Sequence, residues 1–225
     1  MAITFVQQKT GSTENDATPL TVTFDNPVVT GNSVVCLLSY LSTDVISEAA
    51  LVGSVSDGLG AGPSATVAGV GMSMFYSHIT DPAITGVRFA GDGDTRLNVV
   101  ALEFGGLSSA DPEAVNSSTG VLNAAPVTGS VTPTSANSLL IAGGAWTLNK
   151  YFTGPVNSFI RLTSVGGGVV FQESGYKIES VAAAYSTGWT LSDALANWVC
   201  VIAAFGAPGV SVGVPSGLAL LGVGK

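Results

Sequence analysis

The sequence predicts an all-β sandwich, and three observations carry that prediction. Short apolar or alternating runs recur along the whole chain, turn chemistry separates them, and no segment of a dozen residues sustains a helical period. Composition agrees: of 225 residues 29 are glycine, 46% are hydrophobic and only 10% are charged. This is the make-up of short strands joined by tight turns, and it is too apolar for a disordered chain. The length suits one large sandwich or two small domains.

In chain order, strands are expected near Ile3–Gln8, Leu20–Phe24, Ser33–Tyr40, Leu51–Val55, Met72–His78, Ile84–Phe89 and Leu97–Phe104. They continue at Val127–Val131, Ser138–Trp146, Phe159–Thr163, Val169–Glu173, Tyr176–Ser180, Val181–Ser186 and Trp198–Phe205. Asp25-Asn26-Pro27, Asp57-Gly58, Gly91-Asp92-Gly93-Asp94, Gly105-Gly106 and Gly166-Gly167-Gly168 supply the intervening turns. Thr43–Leu51 and Ser192–Asn197 each suit one short helical turn.

A weak internal repeat organises these runs. Asn32-Ser33 leads into the apolar Val34–Leu38, and about seventy residues later an apolar strand ends in Phe104-Gly105; Asn137-Ser138 leads into Leu139–Ala142, and the matching strand ends in Phe205-Gly206. Continuous apolar strands belong in a sheet covered on both faces, or in a sandwich sealed by a neighbour. Two such halves, about 20–105 and 127–206, predict two Greek keys sharing one sandwich across residues 1–206, which is how a jelly roll is built. Two separate small sandwiches are the alternative, and Ser108–Pro126 is then a linker instead of a long crossover. Residues 207–225, with Gly and Pro among apolar side chains and a single charge, read as a flexible arm. Its Val210, Val212, Val214, Leu218, Leu220 and Leu221 need cover, which a neighbouring subunit or the chain's own domain would provide.

Charge narrows the function. Seven Lys and Arg against fifteen Asp and Glu give −8, and Lys9, Arg88, Arg96, Lys150, Arg161, Lys177 and Lys225 are scattered. Phosphate neutralisation has no basic cluster to work with, so no nucleic-acid partner is expected. The amino terminus lacks a basic segment followed by a long apolar one, and no run of eighteen apolar residues occurs; neither a signal peptide nor a membrane span is expected. So little charge also leaves much uncharged surface, which an assembly subunit hides against its neighbours.

Few side chains suggest chemistry. His78, the only histidine, shares one strand face with Met72, Met74 and Tyr76, which makes it a packed or rim residue. Cys36 and Cys200 lie inside apolar runs and read as buried free thiols; with one histidine they make no zinc site, and no cofactor is expected. No Gly-x-Ser-x-Gly elbow occurs, and Gly53-Ser54-Val55-Ser56 resembles one only superficially. Glu103 stands between Leu102 and Phe104; a buried carboxylate needs a partner, and Arg88, Arg96 or Arg161 is expected to supply it. Asp92 and Asp94 around Gly93, with Asp57, could offer oxygen ligands to calcium, but they read first as a hairpin turn. Trp146 to Phe152 is an aromatic stretch at a strand end where Trp146 and Tyr151, joined by Trp189, would form a platform for a sugar ring or a partner; core or interface packing is the competing reading. Nothing here predicts an enzyme.

The extended opening strand, Pro27-x-x-x-Gly31-Asn32 before an apolar run, Leu102-Glu103-Phe104-Gly105-Gly106-Leu107, Asp111-Pro112, Thr134-Ser135-Ala136-Asn137-Ser138-Leu139 and the closing Trp198 strand form one pattern. It resembles a β-sandwich module of phage virion proteins and bacterial surface proteins, over about residues 1–206. In such modules Leu102–Leu107 commonly reads Glu-Tyr-Ser-Gly, from which Phe104-Gly105 departs. The resemblance implies a bacteriophage capsid decoration (cement) protein, often trimeric and bound to the major capsid protein, or else a tail or fibre-head protein that binds carbohydrate or a receptor. Such a protein is made in the host cytoplasm and resides in the virion.

Overall fold

The computed structural model describes residues 2–13, 19–92, 96–108, 111–147, 152–167, 170–192 and 196–208, and structural statements below concern these. The chain is all-β, with antiparallel sheets and no helix among the described residues. The first half contributes β1 (Thr4–Ser12), β2 (Leu20–Thr23), β3 (Ser33–Tyr40), β4 (Ile46–Val52), β5 (Gly60–Val67), β6 (Val70–His78), β7 (Gly86–Gly91) and β8 (Asn98–Gly105). These form an inner sheet ordered β1-β8-β3-β6-β5 and an outer sheet ordered β2-β7-β4.

The second half repeats the plan. Its inner sheet uses β9 (Ala114–Gly120), β10 (Ser138–Thr147), β12 (Ile160–Arg161), β14 (Val170–Glu179) and β16 (Trp198–Gly206) in the order β9-β16-β10-β14-β12, with β13 (Val165–Gly167) also on β14. The outer layer pairs β11 (Phe152–Thr153) with β15 (Thr190–Leu191), and the bridges Val127↔Gly188 and Val131↔Tyr185 extend it. In each half the opening strand lies beside the closing one, which lies beside the long apolar strand.

The two inner sheets stack on each other, so the molecule has four layers and three apolar cores. Strict alternation in each central strand divides its side chains between two of them. Val35 and Leu37 of β3 enter the shared core while Val34, Cys36 and Leu38 enter the outer core of the first half. Val199, Val201, Ala203 and Phe205 of β16 enter the shared core; Cys200, Ile202 and Ala204 enter the outer core of the second half. Coverage on both faces is why β3, β8, β10 and β16 read as nearly continuous apolar runs. Each half is thus two-layered around an outer core of its own, and the two halves pack inner sheet against inner sheet around the shared core.

The contacts across the shared core are reciprocal. Tyr76 of the first half meets Phe205 of the second edge-on at 5.9 Å, and Tyr176 of the second meets Phe104 of the first edge-on at 5.3 Å. Asn98 Nδ2 donates to the Val170 carbonyl at 3.1 Å, and Asn197 Nδ2 donates to the Ala68 carbonyl at 2.8 Å. Such pairing is the pattern of a two-fold interface, here inside one chain. Burying each large apolar side chain is worth about 1.5–3 kcal/mol, against about 1 kcal/mol net for a hydrogen bond. Apolar area therefore supplies the adhesion, and the amides fix the alignment.

Several expectations change. Thr43–Leu51 is not a helical turn, because β4 occupies Ile46–Val52 and pairs with β7. Ser108–Pro126 is neither linker nor bare crossover: it contains β9, the edge strand beside β16, along which exposed and half-buried residues alternate. The two strands expected at Val169–Glu173 and Tyr176–Ser180 are replaced by one, β14 over Val170–Glu179, since Ser174-Gly175 continues the β10 ladder without a break. β5 is not among the expected strands because Gly60-Ala61-Gly62-Pro63 reads as turn, although its bulge between Ala61 and Ser64 fits such a sequence. The Val181–Ser186 run supplies only a bridge at Tyr185.

Candidate functional site

The predicted aromatic platform does not lie on the surface. Trp146 is fully buried and Trp189 is 2% exposed; both belong to the outer core of the second half. Alternation along β10 sends Trp146 inward with Leu140 and Ala142, and its ring packs on Phe152 at 5.1 Å. Trp189 lies over Gly144, where a Cβ would come within 3.0 Å of the indole. Neither face is open for stacking, so the packing reading describes these two tryptophans. Tyr151 and the arm residues Val210, Val212, Val214, Leu218, Leu220 and Leu221 lie outside the described residues, as does Asp94.

Glu103 is buried, but no arginine meets it. Its Oε1 accepts from the Val29 amide at 2.9 Å and from Asn32 Nδ2 at 2.6 Å, and its Oε2 accepts from Gln7 Nε2. The carboxylate thus ties β1 and the turn before β3 to β8 through neutral donors. The arginines are engaged elsewhere: Arg88 pairs with Glu48 at 3.2 Å, and Arg161 makes two hydrogen bonds to the buried Glu173 at 2.9 and 3.1 Å. Burial pushes the Glu173 pKa above the usual carboxylate range, and the Arg161 hydrogen bond opposes that rise. In the second half Glu113 caps the corresponding turn, accepting from the Thr134 and Ser135 amides at 3.0 Å each. Burial pushes its pKa up, but the Ser135 and Thr134 donors outweigh this and hold it low.

Asp57 is consumed by turn bonds. The Thr80 and Asp81 amides donate to it at 2.7 and 2.8 Å, and the Thr80 hydroxyl foremost holds its pKa down. Among the described residues no group of three His, Cys, Asp or Glu side chains converges as metal ligands would. Cys36 and Cys200 are free and buried, one in each outer core, and burial raises both thiol pKa values.

What the fold does assemble is a groove at the end of the shared core. Gly58, Gly60, Tyr76, Ser77, His78, Ser108 and Asp111 line an open space of about 480 Å³. β6 projects Tyr76 toward the core edge and carries His78 beyond it, where Nδ1 lies 3.3 Å from Ser33 Oγ. The chain leading into β9 brings Asp111 to the opposite wall, where it hydrogen-bonds the Tyr76 side chain. Burial, then the Asp111 charge, raises the Tyr76 pKa, so the phenol is neutral and donates. Glycine at 60 leaves room for the tyrosine ring, since a Cβ there would sit 3.1 Å from it. The strand alternation puts Tyr76 and His78 on one face, but nothing in the sequence joins them to Ser108 and Asp111, thirty residues on. The arrangement offers one aromatic ring, one carboxylate, one imidazole and three hydroxyls, counting that of Tyr76, and no lysine or arginine among the described residues.

In comparisons with known proteins, no family model, no curated protein and no solved structure matches this chain.

Proposed function

We propose that this chain is a non-enzymatic structural subunit of a bacteriophage virion, most simply a capsid decoration (cement) protein that forms a homotrimer and binds the major capsid protein. We further propose a jelly-roll topology, realised within each half and not, as the sequence suggests, by the two halves together. The pairings β1–β8, β2–β7 and β3–β6 are those of one long hairpin rolled up, which supports that topology.

The observation that carries the structural reading is the combination of 10% charge with a four-layer body that still leaves large apolar side chains outside. Val55, Val121, Leu122, Val181 and Ile160 are each more than half exposed. Single exposed apolar residues are ordinary, but here few charges surround them, a surface that gains by association. Four of the buried reactive side chains are occupied: Glu103 by three donors, Glu173 by Arg161, both thiols by burial. Analytical ultracentrifugation of the full chain tests the assembly reading, with a trimer of three 22.5 kDa chains expected. A monomer at every concentration, together with failure to bind shells of the major capsid protein encoded beside it, would refute the reading. The second reading, a tail or fibre module that binds carbohydrate, is favoured by one observation, the polar aromatic groove at Tyr76.

A further inference from the structure

The internal two-fold relation singles out the groove, because its mate is filled. Tyr176 and Tyr76 hold equivalent positions: each pairs with an edge strand of its inner sheet, at Ile160 and Gly60 respectively, and each meets edge-on the phenylalanine closing the other half's last strand. On Tyr176 the ring of Phe5 lies face to face, with centroids 5.4 Å apart and planes 10° from parallel. Phe5 comes from the strand paired beside β8. Continuing the β9–β16 register puts Glu113 opposite Phe205 at the place equivalent to Phe5, with Asp111 two residues before it. Glu113 turns away to Thr134 and Ser135, and Asp111 reaches Tyr76. One tyrosine therefore carries a stacked ring from its own chain, while the other borders a groove lined with hydrogen-bonding groups.

We propose that this groove binds a single neutral pyranose ring, stacked on Tyr76 as Phe5 is stacked on Tyr176. The space, about 480 Å³, lies within the range of small-molecule sites, about 300–1,000 Å³. The apolar C–H face of a sugar lies on the aromatic ring. Its hydroxyls donate to Asp111 and exchange hydrogen bonds with Ser77, Ser108 and His78. The charge of the lining selects the class: with Asp111 in the wall and no lysine or arginine among the described lining residues, phosphate, sulfate and uronic acids meet repulsion with no fixed cation to offset it. The proposal does not depend on the assembly reading, since a virion subunit would assemble whether or not the groove is occupied.

The sole histidine provides the test. Its imidazole proton signals in full-length protein report on the groove without assignment of other residues. Glucose, galactose, mannose and N-acetylglucosamine are titrated to millimolar concentrations, with glucuronic acid as the charged comparison. We expect saturable movement of the His78 signals with at least one neutral sugar, at least tenfold weaker binding of glucuronic acid, and loss of the response in Tyr76→Ala. Asp111→Asn keeps the size of the side chain and an acceptor for the tyrosine hydroxyl, so it reads the site even where Tyr76→Ala fails to fold; we expect at least tenfold weaker binding. Movement with no neutral sugar, or equal movement in both variants, overturns the proposal. So does movement on dilution of the protein alone, which would place a second copy over the groove. The oligomer mass, measured separately, leaves the assembly reading standing or falling independently.

Discussion

Arg161→Ala is expected to destabilise the protein in a pH-dependent way. Glu173 is fully buried, and Arg161, itself half exposed, is its only cationic partner among the described residues. Removing one member of a buried pair costs about 3–5 kcal/mol; because the guanidinium already faces water, we take the lower end, about 3 kcal/mol. The guanidinium also lies 4.8 Å over the Phe152 ring, and losing that adds about 0.5–1 kcal/mol. For a chain of this size the sum lowers Tm by about 7–15 °C. The sign of the pH effect follows from Glu173. Burial raises its folded pKa above the unfolded value, so the native state binds more protons and stability falls as pH rises from the ordinary carboxylate range through the folded pKa. Arg161 opposes the raised pKa; without it the window widens upward. The cost of Arg161→Ala should therefore be larger at pH 8 than at pH 5, with a slope of at most about 1.4 kcal/mol per pH unit. The sequence pI of 4.3 makes pH 5 the practical lower limit. Urea unfolding followed by circular dichroism measures both. Adding Glu173→Gln removes the uncompensated charge and should restore much of the loss and flatten the slope. A penalty equal at pH 5 and pH 8, or a double variant as weak as the single, would refute the reasoning.

Glu103→Gln should destabilise by about 1–3 kcal/mol in urea unfolding, because Gln7, Val29 and Asn32 all donate toward position 103 and an amide nitrogen would face a donor; a neutral result would mean that the donors rearrange freely. Gly86→Ala should cost more than Gly143→Ala. A Cβ at 86 falls 2.3 Å from the Val22 carbonyl, which is fixed in a ladder, whereas one at 143 falls 2.2 Å from the flexible end of Met72; we expect about 3 kcal/mol against about 1 kcal/mol. Cys36 and Cys200 should stay unreactive toward a thiol reagent in native buffer at pH 8 and both react after unfolding, since each is fully buried with its pKa raised. Reaction of either at the native rate of an exposed thiol would contradict the packing.

The sequence made the double-faced strands legible because their signal is local. Val34–Leu38 and Val199–Phe205 are apolar at consecutive positions, which only a strand covered on both sides tolerates. β5 and β9 were harder, since an edge strand alternates with glycine, serine and asparagine and reads as loop. The misassigned partner of Glu103 has a similar cause: sequence shows that a buried carboxylate needs donors, but a backbone amide at Val29 and a side-chain amide at Gln7 carry no mark in it. The tryptophans failed as a platform for the opposite reason. An aromatic at a strand end looks exposed until the outer layer that covers it, Phe152 and Leu191, is known. The groove depends on residues 76 and 111 meeting, and only the topology brings them together.

Reciprocity across the shared core bears on why one chain holds both halves. Each inner sheet is apolar on both faces, so neither half can expose its inner face at low cost, and each already provides the cover for the other. Tyr76 with Phe205 and Tyr176 with Phe104, Asn98 with Val170 and Asn197 with Ala68, are the contacts two identical subunits would make across a dyad. Joining such subunits in one chain removes the concentration dependence of their association. It also frees the two copies to differ. The stacked Phe5 on one side and Asp111 on the other are such a difference, as are Ile160 and Gly60 beside the two tyrosines. A dyad between identical chains would fill both positions or neither; one chain can keep one side closed for cohesion and leave the other open.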